Sequence, residues 1–223
     1  MSPIGQIIDA MLATRQMLNH PFYQAWNEGK LTREALGHYA CQYYQFVREF
    51  PRMLSNVHAN TPDLAIRQEI LQNLNDEELD SETNRNHPGL WIQFAESLGI
   101  PRSDLLGTTP LPTTQALVDT MMGHCRNGSF QAGLSALYAY ESQVPQVSRA
   151  KIDGLKTFYG ISAPEAVKFF TVHEEADIFH SQSERQLIGR NTPEKLRPEV
   201  ETAARETADA LWNFLTGIQE AYC

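Results

Sequence analysis

The stretch FFTVHEEADIFH, residues 169–180, decides how the rest of this chain is interpreted. Successive residues of an α-helix are rotated by about 100°, so Asp177 projects roughly 40° to one side of His173 and His180 roughly 20° to the other. Imidazole and carboxylate groups on one helical strip suit iron, manganese or zinc. An exposed polar face is the alternative interpretation, but the apolar Phe169 and Phe170 one turn earlier favour burial.

This stretch belongs to a predicted helix that begins at a capping box, Ser162 and Glu165, and runs through roughly Leu187. Apolar residues recur with helical period along nearly the whole chain, and strand signals are nearly absent. A short helix is predicted from Pro21, and Thr32 is predicted to cap the next helix, which carries Leu36, Tyr39, Tyr43, Phe46 and Phe50 on one face. The other predicted helical segments are 7–18, 61–79, 88–98 (ended by Gly99), 114–127, 130–141, 145–159 and 194–221. We therefore expect an all-α bundle of about eight to ten helices. It should form a single domain over residues 1–223, with 100–113 as a long connection inside the bundle.

The composition is that of an acidic globular protein: 42% of the 223 residues are hydrophobic, 20% are charged, and the formal net charge is −9. An acidic surface repels nucleic acids and anionic membranes, so neither is expected as a partner. The N-terminus lacks a basic region followed by an apolar run, so no signal peptide is expected. No apolar stretch approaches the roughly 18 residues that are needed to span a bilayer.

The three cysteines, Cys41, Cys125 and Cys223, are odd in number and widely spaced. They predict neither a disulfide framework nor a zinc knuckle, and they fit a reducing compartment. We therefore expect a cytoplasmic protein.

Glu141 is the second residue that indicates a metal site. It follows Leu134 by seven residues and Leu137 by four, so the helical period places its carboxylate on an apolar face. A buried carboxylate needs a metal, a cation or a proton. The alternative is that the helix ends near Pro145, so that the charge of Glu141 reaches water and needs no metal.

The acidic run 76–80 and the histidine that follows it are ambiguous on their own. Glu77 follows Ile70 by seven residues, but Glu78 follows Leu71 by the same interval. His87 immediately precedes a predicted helix, where a cap or a surface position is the simpler interpretation. The remaining histidines show no comparable grouping and are taken as structural or surface residues: His20, His38, His58 and His124.

Two further residues stand out from their surroundings. Lys151 lies on an apolar stripe between Val147 and Leu155, which predicts either a side chain that extends to the surface or a desolvated amine fit for nucleophilic chemistry. Tyr23 belongs to an aromatic cluster with Phe22 and Trp26, for which a packing role is the ordinary interpretation.

Five segments carry the motifs of a known family: Phe22-Tyr23-x-x-Trp26, Asp76-Glu77-Glu78, Asn86-His87-x-x-Leu90-Trp91, Tyr138-x-Tyr140-Glu141-Ser142-Gln143-x-Pro145 and His173-Glu174-Glu175-Ala176-Asp177-x-x-His180. Together they resemble the family named after the chlamydial protein associating with death domains. That family belongs to the haem-oxygenase-like dimetal oxidases and is related to thiaminase II and pyrroloquinoline-quinone synthase. The resemblance spans positions 7–215, and its last two motifs are the most specific.

The resemblance implies a haem-oxygenase-like helical bundle around a dimetal site. Three histidines with three carboxylates suit two irons or iron and manganese about equally. The resemblance also implies that the metal ligand in the Asp76-Glu77-Glu78 run is the first glutamate, Glu77. One departure is a longer segment between Glu77 and His87 than in the chlamydial member. The implied ligands are Glu77, His87, Glu141, His173, Asp177 and His180.

The resemblance also implies an activity, the oxygen-dependent formation of para-aminobenzoate for folate synthesis. Family members are thought to consume a tyrosine of their own chain, which corresponds to Tyr23, with Lys151 as the internal amine donor. Dioxygen and an external reductant would be co-substrates. Tyr43 and Tyr140 are candidate relays for radical chemistry.

Three alternatives stay open at this point. A dimetal oxidase could act repeatedly on an external amino acid or fatty acid and would not require Tyr23 and Lys151. A non-catalytic interaction module would leave the candidate ligands unexplained. The third alternative is a cofactor-free oxidase or a thiaminase-like hydrolase. The hydrolase would need a catalytic cysteine, and Cys41 has no identifiable catalytic partner. A homodimer is one candidate oligomeric state, and the sequence does not identify the electron donor.

Overall fold

The computed structural model describes residues 4–79 and 86–223, and in these ranges it contains twelve α-helices and no strand. The all-α prediction is therefore confirmed. The helices are α1 Ile4–Leu12, α2 Pro21–Asn27, α3 Arg33–Val47, α4 Phe50–Asn60, α5 Leu64–Glu78, α6 His87–Ser97, α7 Arg102–Gly107, α8 Pro112–Asn127, α9 Phe130–Glu141, α10 Val144–Phe158, α11 Pro164–Asn191 and α12 Arg197–Tyr222. Short 3-10 turns lie at Ala13–Arg15, Met17–Asn19 and Glu194–Leu196.

Helix α9 lies at the centre of the bundle. Every residue from Gln131 to Glu141 is buried, and α9 packs against α4, α8, α11 and α12. Small residues allow these helices to approach closely: a Cβ on Gly133 would lie 2.6 Å from Cγ2 of Val57. The C-terminal end of α9 therefore carries Glu141 into the interior, not to water.

Local capping explains where several helices begin and end. The Thr32 hydroxyl accepts a hydrogen bond from the amide of Ala35 at the start of α3, as predicted. Asn86 caps α6 in the same way, so that His87 is the first residue of that helix. Gly99, with a φ of 85°, follows α6 in a conformation that favours glycine, as expected for a helix end.

Two predicted helix starts are wrong. Helix α11 begins at Pro164 after Ala163 and has no side-chain cap, so the capping box of Ser162 and Glu165 does not form. Proline opens the helix instead, because its fixed φ suits the first turn. Helix α5 begins at Leu64 with Asp63 as its cap, two to three residues later than Thr61-Pro62 predicted.

The chain is also divided more finely than the pattern predicted. The connection at 100–113 contains the short helix α7, and the described residues hold twelve helices where about eight to ten were expected. Helix α3 ends at Val47, and Phe50 begins α4 although the pattern placed it on α3. Pro51 accounts for the break, since it lacks the amide hydrogen that a continuous helix would need.

None of the helices in residues 4–79 and 86–223 combines the length and apolar character that a membrane span requires.

Replacing Gly133 by alanine should destabilise the protein by about 1–3 kcal/mol, because the new methyl group meets the buried Val57 in a filled core. Gly189→Ala is the matched control. Gly189 is an exposed helical glycine of α11 with open space around it, so alanine there should stabilise the helix by roughly 0.5–1 kcal/mol. Urea unfolding monitored by circular dichroism measures both changes. Equal effects of the two substitutions would contradict the close approach of α9 and α4.

Candidate metal centre

The three predicted ligands of α11 lie on one buried face of that helix. His173, Asp177 and His180 are each at most 3% exposed. Helix α11 packs against α5, α6 and α9, and these are the helices that carry the other predicted ligands. The exposed polar face that the sequence left open is therefore excluded.

A first group of donors joins Glu77, His87 and His173. One ligand atom of each lies within 4.8 Å of the other two. Nδ1 of His87 is 2.9 Å from Oε1 of Glu77, and Nε2 of His173 is 4.0 Å from the same oxygen. The group lies where the end of α5 and the start of α6 meet the middle of α11.

A second group joins Glu141, Asp177 and His180, again with ligand atoms within 4.8 Å of one another. Nδ1 of His180 is 3.4 Å from Oδ1 of Asp177. Helix α11 contributes to both groups, so the His173-x-x-x-Asp177-x-x-His180 spacing divides its ligands between them.

The ambiguity in the acidic run is resolved by burial. Glu77 is 2% exposed and belongs to the first group, whereas Glu78 is exposed. His87 is buried, not a surface cap. Asp80 and the lengthened segment before His87 involve residues 80–85, which lie outside the described residues.

The donor atoms are available for a cation. Nδ1 of His87, Nδ1 of His180 and both carboxylate oxygens of Asp177 are buried and make no hydrogen bond of good geometry with the described residues. Their nearest polar neighbours are other donors of the same two groups, namely Glu77 for His87 and Asp177 for His180. His173 donates from Nδ1 to the carbonyl oxygen of Phe169 at 2.6 Å, which leaves its Nε2 free. A buried carboxylate without a partner is costly, and a metal ion is the partner that this donor set fits.

The pKa shifts of the donor groups agree with this interpretation. Burial raises the pKa of the Asp177 carboxyl to about 7, with Glu141 and Glu77 adding to the rise. Burial likewise raises the pKa of Glu141, although Asn73 donates to both of its carboxylate oxygens at 3.0 and 3.2 Å. Without a cation, these carboxyls therefore tend to hold protons.

Glu184 is a site residue that sequence reasoning missed. It is 4% exposed, and neither of its oxygens has a hydrogen-bond donor from another described residue. Burial and the neighbouring carboxyl of Glu141, which it contacts, raise its pKa well above the usual range. The signal was present, since Glu184 follows Asp177 by seven residues and His180 by four on the same helical strip.

Tyr23 and Lys151 meet in the interior beside the donor groups. They are 1% and 2% exposed. The Lys151 amine donates to the Tyr39 hydroxyl at 2.6 Å, and that hydroxyl is 3.3 Å from the Tyr23 hydroxyl. Nζ of Lys151 is also 5.7 Å from the centre of the Tyr23 ring. One hydroxyl, that of Tyr39, therefore connects the amine to the Tyr23 phenol.

Among the described residues, aromatic rings and not carboxylates surround the Lys151 amine. Its Nζ lies 4.7–5.7 Å from five ring centres. Burial lowers the pKa of Lys151 well below its usual value, which favours the neutral, nucleophilic amine. The rings are those of Tyr23, Tyr39, Tyr43, Trp91 and Phe170.

The Tyr43 ring lies 4.7 Å from this amine, and Tyr140, the residue before Glu141, contacts Tyr43. Their hydroxyls are 2.5 Å apart, and the ring of Tyr43 stacks on that of Tyr39 with centres 5.5 Å apart. Burial raises the pKa of both hydroxyls, and the charges of Asp177 and Glu77 add to the rise.

Cys41 does not resemble an activated nucleophile. It is half-buried and lines a surface cavity whose other lining residues include none of the donor groups. Burial raises the pKa of its thiol, whereas a catalytic cysteine needs a lowered one.

A helical bundle that encloses two groups of histidine and carboxylate donors defines this chain as a candidate two-metal protein. The family model described as iron-containing redox enzyme matches residues 37–212. The chain therefore belongs to this haem-oxygenase-like family of iron-containing redox enzymes.

Relatives in sequence share nearly the whole chain. A Nitrosomonas europaea protein named 4-aminobenzoate synthase is 50% identical and covers 98% of this chain and 92% of its own length. A Chlamydia pneumoniae protein of the same name is 42% identical, and the match covers 95% of this chain and 92% of that protein. A Streptantibioticus cattleyicolor protein named 4-chloro-allylglycine synthase is 28% identical, and the match covers 97% of this chain and 84% of that protein.

Solved structures share the fold at lower identity. A TenA homologue from Pseudomonas syringae has a TM-score of 0.82 at 17% identity and covers 96% of this chain and 92% of its own. A protein from Nostoc punctiforme that resembles the chlamydial family has a TM-score of 0.81 at 18% identity. The match covers 99% of this chain and 97% of that protein. The predicted family resemblance and the predicted fold are confirmed.

Replacing His173 or Asp177 by alanine should remove at least the ion held by its own donor group, because the two residues belong to different groups. Helix content should persist, since Phe169, Phe170, Leu187 and Ile188 still pack α11 into the core. His38→Ala is the control: its side chain is 44% exposed, and it belongs to neither group. Elemental analysis of freshly purified protein measures the occupancy, and full occupancy in both ligand variants would contradict this assignment.

Proposed function

We propose that this protein makes 4-aminobenzoate (para-aminobenzoate) from its own Tyr23, with Lys151 as the amine donor, at a dimetal centre formed by the two donor groups. The arrangement that carries this proposal is the buried Lys151 amine beside the Tyr23 ring, linked through the Tyr39 hydroxyl. The 4-aminobenzoate synthases that share up to 50% of its residues support the same activity.

The atoms of tyrosine map onto the proposed product. The ring is retained, and Cβ of Tyr23 is cleaved from Cα and oxidised to the carboxyl carbon with dioxygen as the oxidant. The Lys151 nitrogen replaces the phenolic oxygen, which leaves as water, and the bond between Nζ and Cε of Lys151 breaks. Each chain can therefore act only once. This mapping explains why the amine would be held near the phenol and not near a solvent channel.

The proposed ligands are Glu77, His87, Glu141, His173, Asp177 and His180. Two transition-metal ions bound there, either two irons or iron and manganese, would supply oxidation by dioxygen with an external reductant. The chain's own contribution is to hold the donors, exclude water and fix the reacting side chains.

The tyrosine pair supports a route between the two halves of the site. The Tyr43 hydroxyl contacts that of Tyr140, which immediately precedes Glu141, and the Tyr43 ring stacks on Tyr39. Tyr39 contacts both Tyr23 and Lys151. We assign Tyr43 and Tyr140 as relays that would carry an electron and a proton between the Tyr23 phenol and the residues of the donor groups.

A second candidate is a dimetal oxidase that acts on an external small molecule such as an amino acid or fatty acid. The relative named 4-chloro-allylglycine synthase favours it, because the named product is a free amino acid. The rings that surround Lys151 favour the internal substrate, since the chain's own aromatic side chains occupy the space around the amine.

The proposal places the reaction in the cytoplasm. Cys41, Cys125 and Cys223 are all free thiols, which fits a reducing compartment. The homodimer stays a prediction, which sedimentation velocity would test.

Tyr23→Phe should abolish 4-aminobenzoate formation while fold and metal binding persist, because it removes the phenol and keeps the buried ring. Protein labelled with isotopic tyrosine, loaded with metal and exposed to oxygen and reductant, should release labelled product. Mass spectrometry should show side-chain loss at Tyr23, with no more than one product molecule per chain.

Tyr222→Phe is the matched control, since that ring stacks on His38, away from the amine. It should leave the yield unchanged. Unlabelled product, or repeated turnover with Tyr23 intact, would favour the external-substrate oxidase.

Lys151→Arg should also abolish product formation, because a guanidinium group keeps its proton and cannot act as the nucleophile. Protein with ¹⁵N in the lysine side chain should place ¹⁵N in the product. Lys168→Arg changes an exposed lysine of α11 and should have no effect. Product without the label would exclude Lys151 as the donor whether or not the arginine variant folds.

A further inference from the structure

The two ring nitrogens of His180 have different surroundings. Nε2 lies 2.9 Å from Oδ2 of Asp76 in hydrogen-bond geometry. Nδ1 is buried, has no hydrogen-bond partner and lies 3.4 Å from Oδ1 of Asp177. One nitrogen is therefore engaged by Asp76, and the other faces the second donor group.

The contact with Asp76 determines where the His180 ring carries its proton. An ionised carboxylate can only accept, so Nε2 carries a hydrogen and donates it to Asp76. In the neutral ring, Nδ1 then keeps the lone pair that can coordinate a metal ion. Metal-binding histidines commonly donate their second nitrogen to a carboxylate, which fixes the tautomer and the ring orientation.

Asp76 approaches His180 from the solvent side. Its side chain is 57% exposed, whereas that of His180 is 2% exposed. Asp76 lies in the last turn of α5 beside Glu77 of the first donor group, and Asn73 one turn earlier donates to Glu141 of the second. The end of α5 therefore contacts both donor groups.

We propose that Asp76 is a positioning residue of the metal centre, which holds Nε2 of His180 and so directs Nδ1 into the second donor group. The inference rests on the proposed metal centre. Asp76 contributes no ligand atom in this arrangement. Its removal should weaken metal binding at one position by about 10- to 100-fold, the effect typical of such partners.

A titration of metal-free protein with Mn²⁺, with the free ion measured by electron paramagnetic resonance, tests the role of Asp76. The wild type should bind two ions. Asp76→Ala should bind one of them about 10- to 100-fold more weakly. Asp76→Asn keeps an oxygen that accepts from Nε2 and should restore most of the affinity.

Glu78→Ala is the matched control. Glu78 is an exposed carboxylate on the same helix that belongs to neither donor group, so both affinities should stay at the wild-type value. Because Asp76 and Glu78 are both exposed, neither variant leaves a cavity in the core. Circular dichroism should show unchanged helix content in both.

The coordinating nitrogen gives a second measurement that is independent of activity. Long-range ¹H–¹⁵N spectra of the Zn²⁺-loaded, diamagnetic protein should identify Nδ1 of His180 as metal-bound and Nε2 as the protonated nitrogen. In Asp76→Ala, the Nε2 hydrogen should exchange faster with water. Conservative rescue by Asp76→Asn should slow this exchange again.

Wild-type affinity for both ions in Asp76→Ala, or coordination of His180 through Nε2, would overturn the role of Asp76 while the metal centre stands. A wild-type chain that binds no metal would overturn both inferences. The two failures are therefore distinguishable in the same titration.

Discussion

The burial of several carboxylates in one place is the constraint on which the rest of this structure depends. Glu77, Glu141, Asp177 and Glu184 lie in the interior together, and several of their oxygens have no donor within the described ranges. Each buried charge costs several kcal/mol unless it is compensated. Protons can compensate in the metal-free protein, and metal ions do so more fully, because they also engage the free histidine nitrogens. The meeting of α5, α6, α9 and α11 makes sense only around such a compensating charge.

In the aromatic half of the interior, burial again disfavours the charged form, but for an amine this lowers the pKa. Burial raises the pKa of the carboxyls, and it lowers the pKa of Lys151, because in each case the charged form is the one that loses its hydration. A carboxylate beside Lys151 would have kept the amine charged. The surrounding rings instead leave it neutral, in contact with Tyr39. The protein thus separates an acidic region suited to metals from an aromatic region suited to an uncharged nucleophile.

Much of the fold could be predicted from the sequence, because helical periodicity is a local property. The bounds of α9 at Phe130 and Glu141 agree with the pattern, and Thr32 caps α3 as expected. The errors concern competition between local signals. Ser162 and Glu165 offered a capping box, but Pro164 opened the helix. The 100–113 connection contained enough helical propensity for α7, which its prolines and threonines obscured.

For the site, the sequence by itself determined that His173, Asp177 and His180 share one strip of one helix and that Glu141 lies on an apolar face. Both follow from the rotation of about 100° per residue within a single helix. Periodicity left Glu77 and Glu78 undecided, and although the resemblance implied Glu77, only the tertiary structure showed its burial and brought Glu184 against Glu141. It also decided that Asp76, although exposed, reaches a buried histidine. Periodicity reports the direction of a side chain on its own helix, whereas these contacts depend on how distant helices pack, which no local pattern records.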